Sequence, residues 1–206
     1  MMRTTQLGTC VGVLLVVLPG TVFLAGSASV PSGDAVAWGK AHEGLRIGIY
    51  SVQPTQAGQD QREFRVVLEN VGENDLVLNV GLMLGNGRSQ KPEAIRLLIT
   101  DPEGRLRELH PQPYIVGGRV DPMLVPLPAG ASYTIRCTLA QYVLGIGKSL
   151  ESAARLKPGA YRVRADYDPK RGCEFDKWDV MSLVSACHWA GTVHSRDLGF
   201  NIPPKP

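Results

Sequence analysis

The sequence predicts an all-β chain folded as an antiparallel β-sandwich. Three observations carry that expectation: short runs in which apolar and polar residues alternate, turn formers between those runs, and no sustained helical period beyond about Ser29.

The first run, Leu45-Arg46-Ile47-Gly48-Ile49-Tyr50, alternates as a half-buried strand does. A polar gap at Pro54 to Gln61 precedes Phe64 to Glu69, where Phe64, Val66 and Leu68 share a face. Asn70 to Asp75 supplies turn formers before Leu76, Leu78 and Val80 resume period two, so these two runs read as a connected antiparallel unit. Ile95, Leu97 and Ile99 end at the turn Asp101-Pro102-Glu103-Gly104, and Leu106 and Leu109 continue beyond it. Gly and Pro between Val116 and Pro128 favour an edge or an irregular crossing over a central strand. Pro128-Ala129-Gly130 then turns into Tyr133, Ile135, Cys137 and Leu139, which places Cys137 on an apolar face.

Lys157-Pro158-Gly159 leads into the clearest strand, with Tyr161, Val163, Ala165 and Tyr167 on one face and Arg162, Arg164 and Asp166 on the other. Thr192 to Ile202, with Leu198, Phe200 and Ile202 at period two, closes a sheet. Trp178, Met181 and Val184 recur at helical spacing, which predicts a loop or short-helix insertion before the last strand.

The N-terminus has a different composition. Arg3, an apolar stretch from Val11 to Ala25 and the small residues Gly26 to Ser29 follow the order of a secretory signal peptide, cleaved after Ala28. Pro19-Gly20 interrupts the stretch, which is also short of the roughly 20 apolar residues a membrane helix needs. The predicted organisation is a signal peptide at 1–28, a lead at 29–44 and one sandwich domain at 45–206. No membrane span remains after cleavage, and the product is extracytoplasmic, periplasmic or secreted. Cys10, in Leu7-Gly8-Thr9-Cys10, precedes the apolar core where a lipoprotein cysteine would follow it, so it leaves with the signal.

Of the three remaining cysteines, Cys173 and Cys187 flank a compact segment and are the candidates for a disulfide in an oxidising compartment; Cys137 is left over as a core residue. A net charge of +3, with both signs well mixed, gives no reason to expect nucleic acid as a partner.

Phe64 to Leu68, Asn70 to Asn74, Pro158 to Val163 and Trp189-Ala190-Gly191 to Ser195 follow one another in an order similar to bacterial secreted immunoglobulin-like domains. Ala37-Trp38-Gly39-Lys40 with Gly44 to Ile49 resembles a segment of exported proteins of planctomycete-type bacteria. The resemblance implies an immunoglobulin-like sandwich and brings no catalytic residues with it. A looser likeness is to the β-sandwich proteinase-inhibitor domains of bacilli, which share the early strand, turn and strand order.

Catalytic motifs are missing from the sequence. It has no Gly-x-Ser-x-Gly elbow, no His-Glu-x-x-His, no phosphate-binding glycine loop and no dinucleotide fingerprint. Asp166, Asp168, Glu174, Asp176 and Asp179 read as solvated charges. Cys187, His188, His194 and Met181 contain the ligand types of a blue-copper site, but an extended Cys-His pair points to opposite faces and the Met precedes the Cys. No cofactor or metal is therefore expected. The aromatic residues Phe175 and Trp178 mark a candidate binding loop, because amphipathic rings on loops between strands suit contact with proteins or sugars. The expected function is a non-enzymatic module that binds a protein or envelope component; the alternatives are a secreted protease inhibitor and a copper-binding sandwich.

Overall fold

Thirteen short strands account for most of the described backbone. The computed structural model describes residues 36–52, 62–84, 90–112, 120–144, 151–170 and 188–204, all within the compact unit Pro31–Pro206. The predicted signal peptide, the Cys173–Cys187 pair, Phe175, Trp178 and the helical spacing from Trp178 to Val184 lie outside the described residues.

The strands are β1 (Leu45–Val52), β2 (Glu63–Asn70), β3 (Leu76–Leu84), β4 (Gln90–Lys91), β5 (Ile95–Thr100), β6 (Leu106–Pro111), β7 (Val120–Leu127), β8 (Ser132–Thr138), β9 (Tyr142–Leu144), β10 (Glu151–Ser152), β11 (Gly159–Tyr167), β12 (Val193–His194) and β13 (Leu198–Ile202). They form three antiparallel sheets that do not close into a barrel: β1-β2-β8, β4-β3-β7, and a larger sheet running β10-β9-β6-β5-β11, where both β12 and β13 pair with β11. Helical turns among the described residues are short 3-10 segments, such as Leu139–Gln141 and Ala153–Arg155. The fold is an all-β antiparallel sandwich, as the alternation predicts.

One apolar core joins the three sheets. Ile47 and Ile49 of β1, Phe64, Val66 and Leu68 of β2, Leu78 and Val80 of β3, Leu97 and Ile99 of β5, and Val163, Ala165 and Tyr167 of β11 all belong to it. The Phe200 ring meets Phe64 edge-on, centroids 5.2 Å apart, and stacks on Tyr161 at 5.4 Å, which locks the face of β2 onto β11 and β13. The Tyr167 hydroxyl donates to the Asn79 carbonyl at 3.1 Å and so ties β11 to β3.

The connected unit expected of β2 and β3 does not form. β2 is already hydrogen-bonded on both edges, by β1 and by β8, so β3 pairs with β7 in a different sheet. The intervening turn is a crossing organised by the buried Asn70 side chain. Its amide donates to the carbonyls of Asn74 (2.8 Å) and Leu127 (2.9 Å), and its oxygen accepts from Gly72 N–H (3.0 Å). The β5–β6 hairpin forms as expected, closed by Asp101. β7 lies at the edge of its sheet and carries Pro122 and Pro126, as the Gly and Pro content of its region predicts.

Residues 36–42, within the predicted lead, run antiparallel to β1 as an arm. Glu43 (φ 44°) and Gly44 (φ 81°) make a two-residue turn with both φ values positive, the turn whose twist matches a hairpin. His42 and Leu45 exchange backbone hydrogen bonds across it, Gly39 N–H donates to Ile47 C=O, and Ala37 N–H donates to Ile49 C=O. On its far side Ala37 C=O accepts from Arg196 N–H (3.2 Å). The arm therefore joins β1 to the segment following β12.

Candidate functional site

The outer face of the large sheet carries the densest charge in the described structure. The alternation of β11 turns Arg164 and Asp166 away from the core, and register sets Asp166 between Arg96 of β5 and His194 of β12. Arg164 lies opposite Leu98, and Leu98 opposite Glu108. The Arg96 guanidinium donates to Glu108 at 2.7 Å. This hydrogen bond raises the Arg96 pKa against desolvation, helped by the charges of Glu108, Asp166 and Asp168. A row of polar side chains thus crosses four strands: His194, Asp166, Arg96, Glu108.

Asp166 is not the solvated carboxylate its outward position suggests. It is 3% exposed, because long charged neighbours fold over it and over the buried Leu98 beside it. His194 Nδ1 lies 2.9 Å and Arg164 Nε 3.4 Å from Asp166 Oδ1, yet neither aligns as a hydrogen bond to that oxygen.

Asp166, His194 and Ser195 invite comparison with an acid, base and nucleophile, but the hydroxyl is already in use. Ser195 Oγ accepts from Ala165 N–H at 2.9 Å and donates to Arg196 C=O at 2.9 Å, and Ser195 is buried while His194 is exposed. Consecutive residues of an extended strand face opposite sides, so the imidazole is turned away from that hydroxyl. The Ser195 side chain fastens its segment to β11.

A second cluster lies on the β1-β2-β8 sheet. Arg65 of β2 and Arg136 of β8 are directly opposite, an unfavourable pairing of like charges, and the buried carboxylate of Glu63 binds both guanidinium groups. Behind it, burial pushes the Cys137 thiol up to about 11, against the effect of a side-chain hydrogen bond with Tyr142. Burial and the neighbouring Cys137 raise the Tyr142 phenol in turn. A thiol held protonated in this way is a poor nucleophile and a poor metal ligand. It is the core residue expected from its strand position.

The aromatic side chains near the arm have structural partners too. The Arg46 guanidinium stacks over Trp38 at 4.3 Å and pairs with Glu69 at 2.7 Å. Trp189 is buried and lies ahead of β12, outside any strand. Its indole N–H donates to Glu43 C=O (3.1 Å), its backbone N–H donates to Val77 C=O (2.8 Å), and its ring lies 5.7 Å from that of Tyr167.

Among the described residues, no group of three or more His, Cys, Asp and Glu side chains is placed to hold a metal ion. Of the copper-type ligands, His188 and His194 are described and Met181 and Cys187 are not. Neither the Glu63 clamp nor the Asp166–His194 contact is legible in the sequence, because both depend on which strands become neighbours. No helix among the described residues is long and apolar enough to cross a membrane. No protein-family model and no curated protein matches the chain.

Proposed function

We propose that this chain is an exported, non-enzymatic, immunoglobulin-like module that works by contact with a protein or envelope component. The observation that carries the reading is the use made of the polar side chains that come closest to a catalytic set. Ser195 bonds two backbone groups, Glu63 binds two arginines, and Cys137 is buried and protonated. Groups committed in this way stabilise a scaffold, and a rigid sandwich of this kind suits the presentation of edges and loops. The signal-peptide pattern at 1–28 and a Cys173–Cys187 disulfide belong to the same reading.

The test is biochemical. Expression of the full chain with its own N-terminus should yield an extracytoplasmic product beginning near Ser29, with one free thiol after denaturation without reductant. The product should be inactive across a broad hydrolase panel. Turnover in that panel, or a substrate-like small molecule retained through purification, would overturn the proposal.

A further inference from the structure

β8 is the outer strand of its sheet, and its register fixes where its backbone groups point. Asn70 N–H donates to Ala131 C=O, and Leu139 N–H donates to Arg62 C=O, at the two ends of the β2–β8 ladder. Alternation between these ends turns the odd-numbered residues of β8 toward β2. It turns the N–H and C=O groups of Ser132, Thr134, Arg136 and Thr138 away from it. Apart from the Thr138 C=O, which caps the 3-10 turn Leu139–Gln141, none of those groups has a backbone partner among the described residues.

The other edges are closed or poor templates. The arm lies along β1, Pro122 and Pro126 interrupt the donors of β7, Arg62 occupies the Asn201 carbonyl of β13, and β4 and β10 have two residues each. β8 has seven residues and no proline.

The side chains state what would fit beside it. On the outer face Arg136 stands opposite Arg65, and both share the single carboxylate of Glu63, so that corner has more positive than negative charge; Arg136 is two-thirds exposed, at 66%. On the inner face Tyr133 and Ile135 lie at the margin of the core, and Tyr133 is only half-buried. A strand laid along β8 would complement both faces with carboxylates on one side and apolar groups on the other.

We propose that the β8 edge accepts, by strand addition, an extended segment of a partner protein whose acidic and apolar side chains alternate. The inference rests on the reading of the chain as a protein-interaction module and names the surface and chemistry of that interaction.

The probe is a synthetic heptapeptide of alternating glutamate and valine, titrated into the full-length purified chain. Backbone amide exchange and fluorescence anisotropy report its binding. It should bind in a salt-sensitive way and protect the amides of Thr134, Arg136 and Thr138, which exchange freely beforehand. Substituting lysine for glutamate in the peptide, or methylating its backbone nitrogens, should abolish binding. Arg136→Glu should weaken it by roughly fivefold to tenfold.

Absence of binding, equal binding by the lysine or N-methylated peptide, or amides already protected in the isolated chain would overturn the proposal. The last result would mean that the chain covers its own edge. The methylated peptide keeps the test decisive even if Arg136→Glu fails to fold. Hydrolase turnover would remove the module reading whatever the peptide does. A null peptide result beside an inactive, exported chain would remove only the β8 surface.

Discussion

The carbonyl of His194 lies so close over Gly39 that a Cβ added there would sit 1.6 Å from the oxygen. Backbone meets backbone at this point, so no side-chain rotation can relieve the clash. Gly39→Ala should destabilise the domain by about 3 kcal/mol, seen as a lower midpoint in denaturant unfolding. Gly48→Ala should cost less. Its Cβ would meet the side chains of Trp38 and Val36 at 2.6 Å, and these can shift. A reversed order between the two variants would contradict the packing described for the arm.

Asn70 offers a second test, because its side chain makes three hydrogen bonds where the chain crosses between sheets. Asn70→Ala should cost about 2 to 3 kcal/mol by leaving the buried Leu127 carbonyl unsatisfied. Asn70→Asp should cost more at neutral pH than in acid, since a carboxylate would face two carbonyl oxygens where the amide now donates. Thermal unfolding of both variants at two pH values checks this.

The Cys137 thiol should resist alkylation in the native chain and react once the chain is denatured. Its folded value, pushed up to about 11 by burial, exceeds the ordinary one. Its contribution to stability is therefore intact below the unfolded thiol value and is lost as pH rises toward 11. The effect is about 3 kcal/mol. Cys137→Ala should show a shallower decline between about pH 8.5 and 11 than the parent chain, measured by denaturant unfolding across that range.

Asp101 should impose the opposite dependence at the acid end. Desolvation works to raise its carboxyl, but the hydrogen bonds and charge of Arg105, with the Glu103 amide, hold it below the ordinary range. Its contribution is present above the unfolded carboxyl value and disappears as pH falls through the folded one. Asp101→Asn should lower the melting temperature at neutral pH and bring the variant and parent together at about pH 2. A constant difference at all pH values would show that the carboxylate charge is not what holds the β5–β6 turn.

Sequence alone revealed most of the longer strands and their faces, but not the short β4, β9 and β10. Tyr161 to Tyr167, Phe64 to Leu68 and the Asp101 turn could be read because period two and turn chemistry are local properties. The arm could not. Its turn uses Glu43-Gly44, where Asn-Gly or Asp-Gly would have given the familiar hairpin signal, and its partners 194–196 lie far away in the chain. The same distance effect hid the separation of β2 from β3, since the turn after Asn70 has the composition of a hairpin loop while β8 takes the edge a hairpin would need. Asp166 was misjudged for a related reason. Its outward direction follows from alternation, but its burial depends on which strands flank β11 and bring Arg96 and His194 beside it, which no spacing rule reports.

The arm also sets a timetable. Its last neighbours, residues 194–196, appear long after it in a chain delivered N-terminus first, whether from a ribosome or through a membrane. Until they arrive, the arm can hairpin onto β1 but has nothing to close against on its other side. Contacts between such distant segments form slowly. A chain stopped short of Arg196 would therefore leave the arm open along its outer edge.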